Sequence, residues 1–189
     1  MSGVGAVVLA AGEASRFGAP KQRLLLPAVL ERLAASPVDE IVVVEGAHPL
    51  DGACGSVGAR PGLALSETQR VPVRVARCPE WERGPGASLR CGLAALGPAC
   101  EAAIVVLADG PRLSPDAVAR VITSWRDEGG AVVAASYGGI RGHPLLAARP
   151  AWDAVPDEGL RALEPRLVAC DDLGSPGDVD TPDDLSTLG

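Results

Sequence analysis

Short runs of consecutive β-branched and other apolar residues alternate along this chain with longer Ala/Leu-rich periodic stretches. The runs predict strands over 4–9, 41–44, 71–75, 104–107, 132–135 and 167–170. Several lack apolar/polar alternation, as strands covered on both faces do. Helical spacing predicts helices over 24–35, 87–96 and 115–128. The third is well signalled: Ser114 is placed to cap it, Pro115 suits the first turn, and Asp116 complements the helix dipole. A shorter helix is expected over 158–163, and another beginning near Pro182. Strand–helix alternation implies a doubly wound α/β sheet, which binds ligands at the carboxyl ends of its strands. The residues after Leu9, after Leu107 and near Gly84 are therefore expected on one rim.

Length and composition narrow the field. The 189 residues carry no internal repeat, low-complexity tract or long linker, so one domain over 1–189 is expected. With 47% hydrophobic and 22% charged residues the chain can build a full core, and with 3% aromatics it must do so from Val, Leu, Ile and Ala. A net charge of −7 argues against nucleic acid or an anionic membrane as partner. A small anionic substrate remains compatible if local cations, metal or N–H groups oppose the overall field. The five cysteines, Cys54, Cys78, Cys91, Cys100 and Cys170, form no C-x-x-C, which fits a reducing, cytoplasmic setting. No secretory leader or membrane-length apolar run is visible.

Five segments carry candidate chemistry. The first is Val7-Val8-Leu9-Ala10-Ala11-Gly12-Glu13-Ala14-Ser15-Arg16-Phe17-Gly18-Ala19-Pro20-Lys21. A buried strand stops at a glycine, and a loop with two cations follows. Glycines let main-chain N–H groups approach an anion, and Arg16 and Lys21 supply opposite charge for triphosphate oxygens. The loop is neither G-x-x-x-x-G-K-[ST] nor G-x-G-x-x-G. The second is Ala108-Asp109-Gly110-Pro111, a carboxylate at a strand end, which is either a hard oxygen ligand for Mg²⁺ or a turn cap. The third is Asp178-Val179-Asp180-Thr181-Pro182-Asp183-Asp184-Leu185, where Asp183 and Asp184 read as helix-start acids. The fourth, Gly84-Pro85-Gly86-Ala87-Ser88-Leu89-Arg90, opens a helix, so free N–H groups are expected there, turned to solvent or ligand. The fifth is Gly139-Ile140-Arg141-Gly142-His143-Pro144-Leu145. Trp81, Trp125 and Trp152 read as packing residues, and His48 receives no role. No nucleophile constellation and no zinc spacing occurs.

The first segment resembles the L-A-x-G-x-x-x-R-[FM]-G-x-x-K signature of the MobA-like nucleotidyltransferases, and its Ala10-Ala11-Gly12 form looks most like the molybdenum cofactor cytidylyltransferases. Later stretches agree. Asp109 and Pro111 match G-D-Q-P, with Gly110 in place of Gln. Asp178 to Leu185 match D-x-D-T-P-x-D-L. Gly84, Ser88, Leu89 and Arg90 match G-x-x-x-S-L-R, and Gly139 to Pro144 match G-x-x-G-H-P. Pro156-Asp157-Glu158-Gly159-Leu160-Arg161 resembles G-D-x-G-x-R, with Pro156 for the first Gly.

The resemblance implies a three-layer αβα sandwich with a mostly parallel, Rossmann-like sheet of the nucleotide-diphospho-sugar transferase type. It implies an Mg²⁺-dependent nucleotidyltransferase that moves NMP from an NTP, CTP being favoured, to a phosphorylated pterin acceptor, molybdopterin or molybdenum cofactor, with release of pyrophosphate. Arg16, Lys21 and Asp109 are the implied catalytic residues. Leu9, Ala10, Ala11, Gly12, Arg16, Lys21, Gly84, Ser88 and Leu89 are implied for the nucleotide, Asp109 and Asp180 for the metal, and Gly142, His143 and Pro144 for the acceptor. A molybdoenzyme or its chaperone is an implied downstream partner. Three departures stand out: the L-L-x-x-x-G piece after the Lys is missing, Ala14 replaces a Ser, and Glu13 adds negative charge. They support an alternative, a non-catalytic or weakened nucleotide- or cofactor-binding protein of the same fold.

Overall fold

The computed structural model describes residues 3–12, 21–47, 49–50 and 71–176, with 21–23 described through their backbone only. Arg16, the Lys21 side chain, His48, Cys54, Asp180 and the helix expected near Pro182 lie outside the described residues.

The elements are β1 (Gly3–Leu9), α1 (Lys21–Ala34), β2 (Glu40–Glu45), β3 (Val73–Arg77), α2 (Pro85–Ala95), β4 (Cys100–Leu107), α3 (Pro115–Glu128), β5 (Val132–Tyr137), β6 (Ile140–Ala148) and β7 (Arg166–Ala169). The strands form one seven-stranded sheet in the order β3-β2-β1-β4-β6-β5-β7. β1 is parallel to β2 and to β4, with Leu9 opposite Val44 on one side and Leu107 on the other. β6 runs antiparallel to both β4 and β5.

Strand residues alternate between two buried layers. Val4, Ala6 and Val8 of β1 pack with Leu26, Leu30 and Leu33 of α1 and Val118, Val121 and Ile122 of α3. Val7, Val42 and Val44 face the other way, onto Leu89 and Leu93 of α2, Trp152 and Leu160. The result is the expected three-layer α/β sandwich with a mostly parallel sheet. α3 spans the expected residues because its signals are local. The Ser114 side chain accepts from the Ala117 N–H at 3.4 Å, and Gly129 ends the helix at φ 69°.

Two expectations change. The stretch from Gly139 to Pro144 was expected as a binding segment with no strand; it is the first half of β6. Tyr137-Gly138-Gly139-Ile140 closes a two-residue hairpin, Gly138 and Gly139 taking φ of 61° and 75°, with Tyr137 paired to Ile140. The helix expected over 158–163 is a single 3₁₀ turn, Leu160–Ala162. The carbonyls of Leu160 and Leu163 also accept from the Arg141 guanidinium, at 2.6 and 2.9 Å. Among the described residues no helix is long and apolar enough to cross a membrane.

α2 lies close on the sheet. A Cβ on Gly92 would stand 2.5 Å from Val7 Cγ1 and 2.7 Å from Val44 Cγ2. Gly92→Ala therefore sets a helix-propensity gain of about 1 kcal/mol against an overpacking cost of about 1–3 kcal/mol. Both valines are wholly buried, so packing dominates, and the variant is expected to be net destabilised by urea denaturation.

Candidate active site

β1 and β4 are neighbours, but the chain leaves β1 for β2 on one side of it and enters β4 on the other. That change of direction opens a crevice at their carboxyl ends. Edge bonding continues just past the strands: Ala10 N–H donates to Val44 O at 3.1 Å, Ala108 N–H to Leu9 O at 3.1 Å, and Ala47 N–H to Ala11 O at 3.3 Å. Gly12 and Asp109 follow immediately, and both line a cavity of about 360 Å³ with Leu9, Ala11, Trp81, Gly84, Pro85 and Ser88. That volume suits a small-molecule ligand. Ala10, expected among the nucleotide contacts, is 4% exposed and faces the core instead.

A second cavity, of about 380 Å³, shares Leu9, Pro85 and Leu107 with the first and adds Leu89, Arg141, Gly142, His143, Glu158 and Arg161. Leu89 is 1% exposed and belongs to the core, so it forms the floor of this second cavity. Because β6 is antiparallel, its beginning lies at the rim where β1 and β4 end. This reversal brings Gly142 and His143 beside Asp109, while Pro144 is buried.

The start of α2 differs from expectation. Its first-turn N–H groups are already spent within the protein: Gly86 N–H donates to Asp157 O at 2.9 Å, and Ala87 and Ser88 N–H donate to Gly84 O. Gly84 sits at φ 128°, and a Cβ on Gly86 would lie 1.7 Å from Pro156 O. The segment 155–157 is thus seated directly on this helix end, filling the place an anion would take. Arg90 fastens it, donating to Val155 O at 2.7 Å and to the Asp157 carboxylate. Arg83 adds a longer contact to the same carboxylate at 3.2 Å. The hydrogen bond from Arg90 is the main cause that holds the Asp157 carboxyl below the usual carboxylate range. Arg90 therefore ties together the walls of the two cavities. Ser88 is 3% exposed and contributes to the first cavity.

The other wall is held by Arg141, through the two carbonyls already described, and by Tyr137, whose hydroxyl donates to His143 O at 2.9 Å. Burial lowers the His143 imidazole to about 4, against an upward pull from Asp109 and a further downward push from Arg141. His143 is accordingly neutral at pH 7, and a neutral ring does not compete for the Asp109 carboxylate. The chain beyond β7 comes back to this rim. Arg120 grips Asp172 with two hydrogen bonds of 2.6 and 2.9 Å, and Arg112 N–H donates to Pro176 O at 3.2 Å. Ser175 and Pro176 line a smaller polar cavity with Gly110 and His143.

Trp81, read from the sequence as a packing residue, has a second contact that the sequence reading missed. It packs partly against the core and also lines the first cavity. Its signal was its position three residues before the glycine that opens α2. Among the described residues no three His, Cys, Asp or Glu side chains cluster as a metal site.

The model of the MobA-like NTP transferase domain matches residues 6–167. The chain belongs to the MobA-like NTP transferase family. Among solved structures it is similar to Rv0371c from Mycobacterium tuberculosis H37Rv, at 28% identity and a TM-score of 0.72, with 98% of this chain and 97% of that one covered. A structure of Rv0371c in complex with manganese aligns at 27% identity and a TM-score of 0.69, covering 98% and 97%. The fold is shared with a nucleotidyl transferase from Methanothermobacter thermautotrophicus, at 20% identity and a TM-score of 0.67, covering 100% and 96%. It is also shared with a CMP:2-keto-3-deoxy-manno-octonic acid synthetase complexed with CTP, at 14% identity and a TM-score of 0.67, covering 99% and 97%. None of the curated proteins matches.

Two outcomes are expected. Gly86→Ala places a methyl group against backbone oxygen, so the 155–157 segment must move off α2; thermal denaturation should show a lower midpoint than Gly129→Ala, which meets nothing within 4 Å and carries only the strain of its φ of 69°. For His143, the folded ring titrates at about 4 and the unfolded one near 6.5. Between these values the unfolded state binds more protons, so stability rises with pH. Urea melts of metal-free protein should weaken as pH falls from about 6.5 to 4, with His143→Gln flattening the slope.

Proposed function

We propose that this protein is a divalent-metal-dependent cytidylyltransferase that transfers CMP from CTP to a phosphorylated pterin, molybdopterin or molybdenum cofactor, and releases pyrophosphate. The observation that carries the reading is an order of residues along one rim. Gly12 follows β1, Asp109 follows the adjacent β4, and His143 lies at the start of β6 next to β4. With strands about 4.8 Å apart, this sequence sets a glycine turn, a carboxylate and a second cavity side by side. That is the arrangement needed for a donor triphosphate, its metal and an acceptor.

The residues present suit such a metal. Asp109 offers hard carboxylate oxygens to the first cavity, on its β4 side, beside an uncharged His143 that lines the second. Mg²⁺ or Mn²⁺ takes one or two protein carboxylates and completes its shell with phosphate oxygens and water. Asp180 is the second proposed ligand. It is the fourth residue beyond Pro176, which is bonded to Arg112, so a span of at most roughly 14 Å is available. Bound there, the ion would neutralise phosphate charge. The manganese complex of Rv0371c supports the choice of a divalent ion.

Arg16 and Lys21 are assigned to the β and γ phosphates, and Lys21 begins α1 directly after the loop. A phosphate oxygen of the acceptor forms a bond to the α-phosphorus as the bond to the β-phosphate oxygen breaks, and pyrophosphate takes that electron pair. Positioning and charge neutralisation carry such a reaction without a covalent protein intermediate. Gly142 and His143 are assigned to the acceptor in the second cavity, with Pro144 shaping the backbone behind them. A cytoplasmic setting is consistent with the free thiols of Cys78, Cys91, Cys100 and Cys170. A molybdoenzyme or its chaperone is the proposed recipient of the product.

Pyrophosphate release tests the reading, run over the four ribonucleoside triphosphates with Mg²⁺ or Mn²⁺ and a pterin phosphate acceptor. Wild type should turn over best with CTP. Asp109→Asn should lower kcat by about 10²- to 10³-fold, by analogy with the loss of a group that stabilises transition-state charge. Tight, metal-independent nucleotide binding with no release under any acceptor would favour a non-catalytic binding protein.

A further inference from the structure

We infer that Trp81 is the aromatic wall against which the nucleobase packs, the residue that turns a triphosphate site into a nucleotide site. The inference rests on the proposed function and adds a base-contacting side chain to it.

Trp81 opens the 3₁₀ turn Trp81–Arg83, and its carbonyl accepts from Gly84 N–H at 3.1 Å. Its position is dictated by close packing. A Cβ built on Gly46 would stand 2.7 Å from both Cβ and Cγ of Trp81, and 2.8 Å from Cβ of Ala11. The root of the indole therefore rests on bare backbone just past β2, against the residue preceding Gly12. A side chain at position 46 would push the ring out of place.

The direction of the ligand follows from strand order. Trp81 is anchored at the end of β2, Gly12 follows β1, and Asp109 follows β4. Two strand spacings, roughly 10 Å, separate the two ends of the cavity. The acceptor cavity begins beyond Asp109, on the β6 side. The reacting phosphates belong at Asp109, which lines the first cavity on its β4 side, next to β6 and the second cavity, so the base of the nucleotide points the other way, to Trp81. The wall at the root of the indole is apolar, formed by Ala11 and the bare backbone of Gly46, and Leu9 and Pro85 line the same cavity farther along. Arg83, the nearest cation in sequence, is engaged by Glu80 at 2.8 Å and by Asp157. A flat, largely apolar ring fits this end, and a polyphosphate does not.

The other tryptophans do not share this position. Trp152 is buried, with its Nε1–H donating to Ala147 O at 3.0 Å, and Trp125 packs against the opposite layer. Stacking a base on an aromatic side chain contributes roughly 1–3 kcal/mol, a factor of about 5 to 150 in affinity. It is tolerant of base identity, so Trp81 strengthens nucleotide binding without itself choosing cytosine.

The test compares CTP with inorganic tripolyphosphate, which has no base. Dissociation constants are measured by calorimetry in Mg²⁺ for wild type, Trp81→Leu and Trp81→Phe. The expected result is a loss of about ten- to hundredfold in CTP affinity for Trp81→Leu, little loss for Trp81→Phe, and unchanged tripolyphosphate binding in both. Tryptophan emission should respond to CTP in wild type and not in Trp81→Phe, a readout that stands even where the Leu variant does not fold. Unchanged CTP affinity in Trp81→Leu, equal losses for both ligands, or a CTP-dependent emission change that persists in Trp81→Phe would overturn the assignment. A wild-type protein that binds no triphosphate at all would overturn the functional reading itself.

Discussion

The parallel pairing of β1 with β4 is the constraint on which the rest of the molecule depends. Its register sets Leu9 opposite Leu107, so two segments almost a hundred residues apart end at the same level. A glycine turn and an acidic turn then emerge side by side. Burial enforces the register: Val4, Ala6 and Val8 fill one layer and Val7 the other, and a slip of one residue would exchange them. The core thereby determines where Asp109 stands relative to Gly12. β2 on one flank and β6 on the other extend the same rim to Trp81 and to His143.

Arginine supplies most of the remaining order. Arg90 holds 155–157 against α2, Arg141 holds the Leu160–Ala162 turn against β6, Arg120 holds Asp172, and Arg166 donates to Ser124 and Gly129 carbonyls at the end of α3. All four donate to main-chain oxygens, Arg120 to Ala169 O at 2.9 Å, and those reached by Arg90 and Arg141 lie in segments outside the sheet and the α-helices. In a chain poor in aromatic residues, forked guanidinium groups satisfy buried carbonyls that no sheet or helix would satisfy. Irregular segments become walls of definite shape, and the two cavities depend on them.

The local content of the sequence was readable wherever short-range physics decides. Apolar runs marked six of the seven strands, and Ser114, Pro115 and Asp116 marked the start of α3. The glycine turn after Leu9 and the acid after Leu107 marked the crevice. β6 escaped because its first half, Ile140 to Pro144, carries mixed polar residues and a proline. The two-residue Gly138-Gly139 turn was its one strand signal. The α2 start was misjudged for a complementary reason. Helix-start N–H groups are free only until another segment claims them, and Asp157 lies some seventy residues away.

By itself, then, the sequence determined most of the element types, the α/β class, the acidic character and the family motifs, all of which follow from residue spacing and side-chain chemistry. Tertiary structure decided what occupies each helix end, which side chains face a cavity and which face the core, and which strand runs backwards. Ala10 turned to the core, Leu89 became the core-side floor of the second cavity and Trp81 reached from the core into the first, because orientation depends on the distant backbone that packs against each residue. Periodicity tells how a residue is spaced from its neighbours along the chain; only close packing at Gly46, Gly86 and Gly92 tells which remote segment it meets.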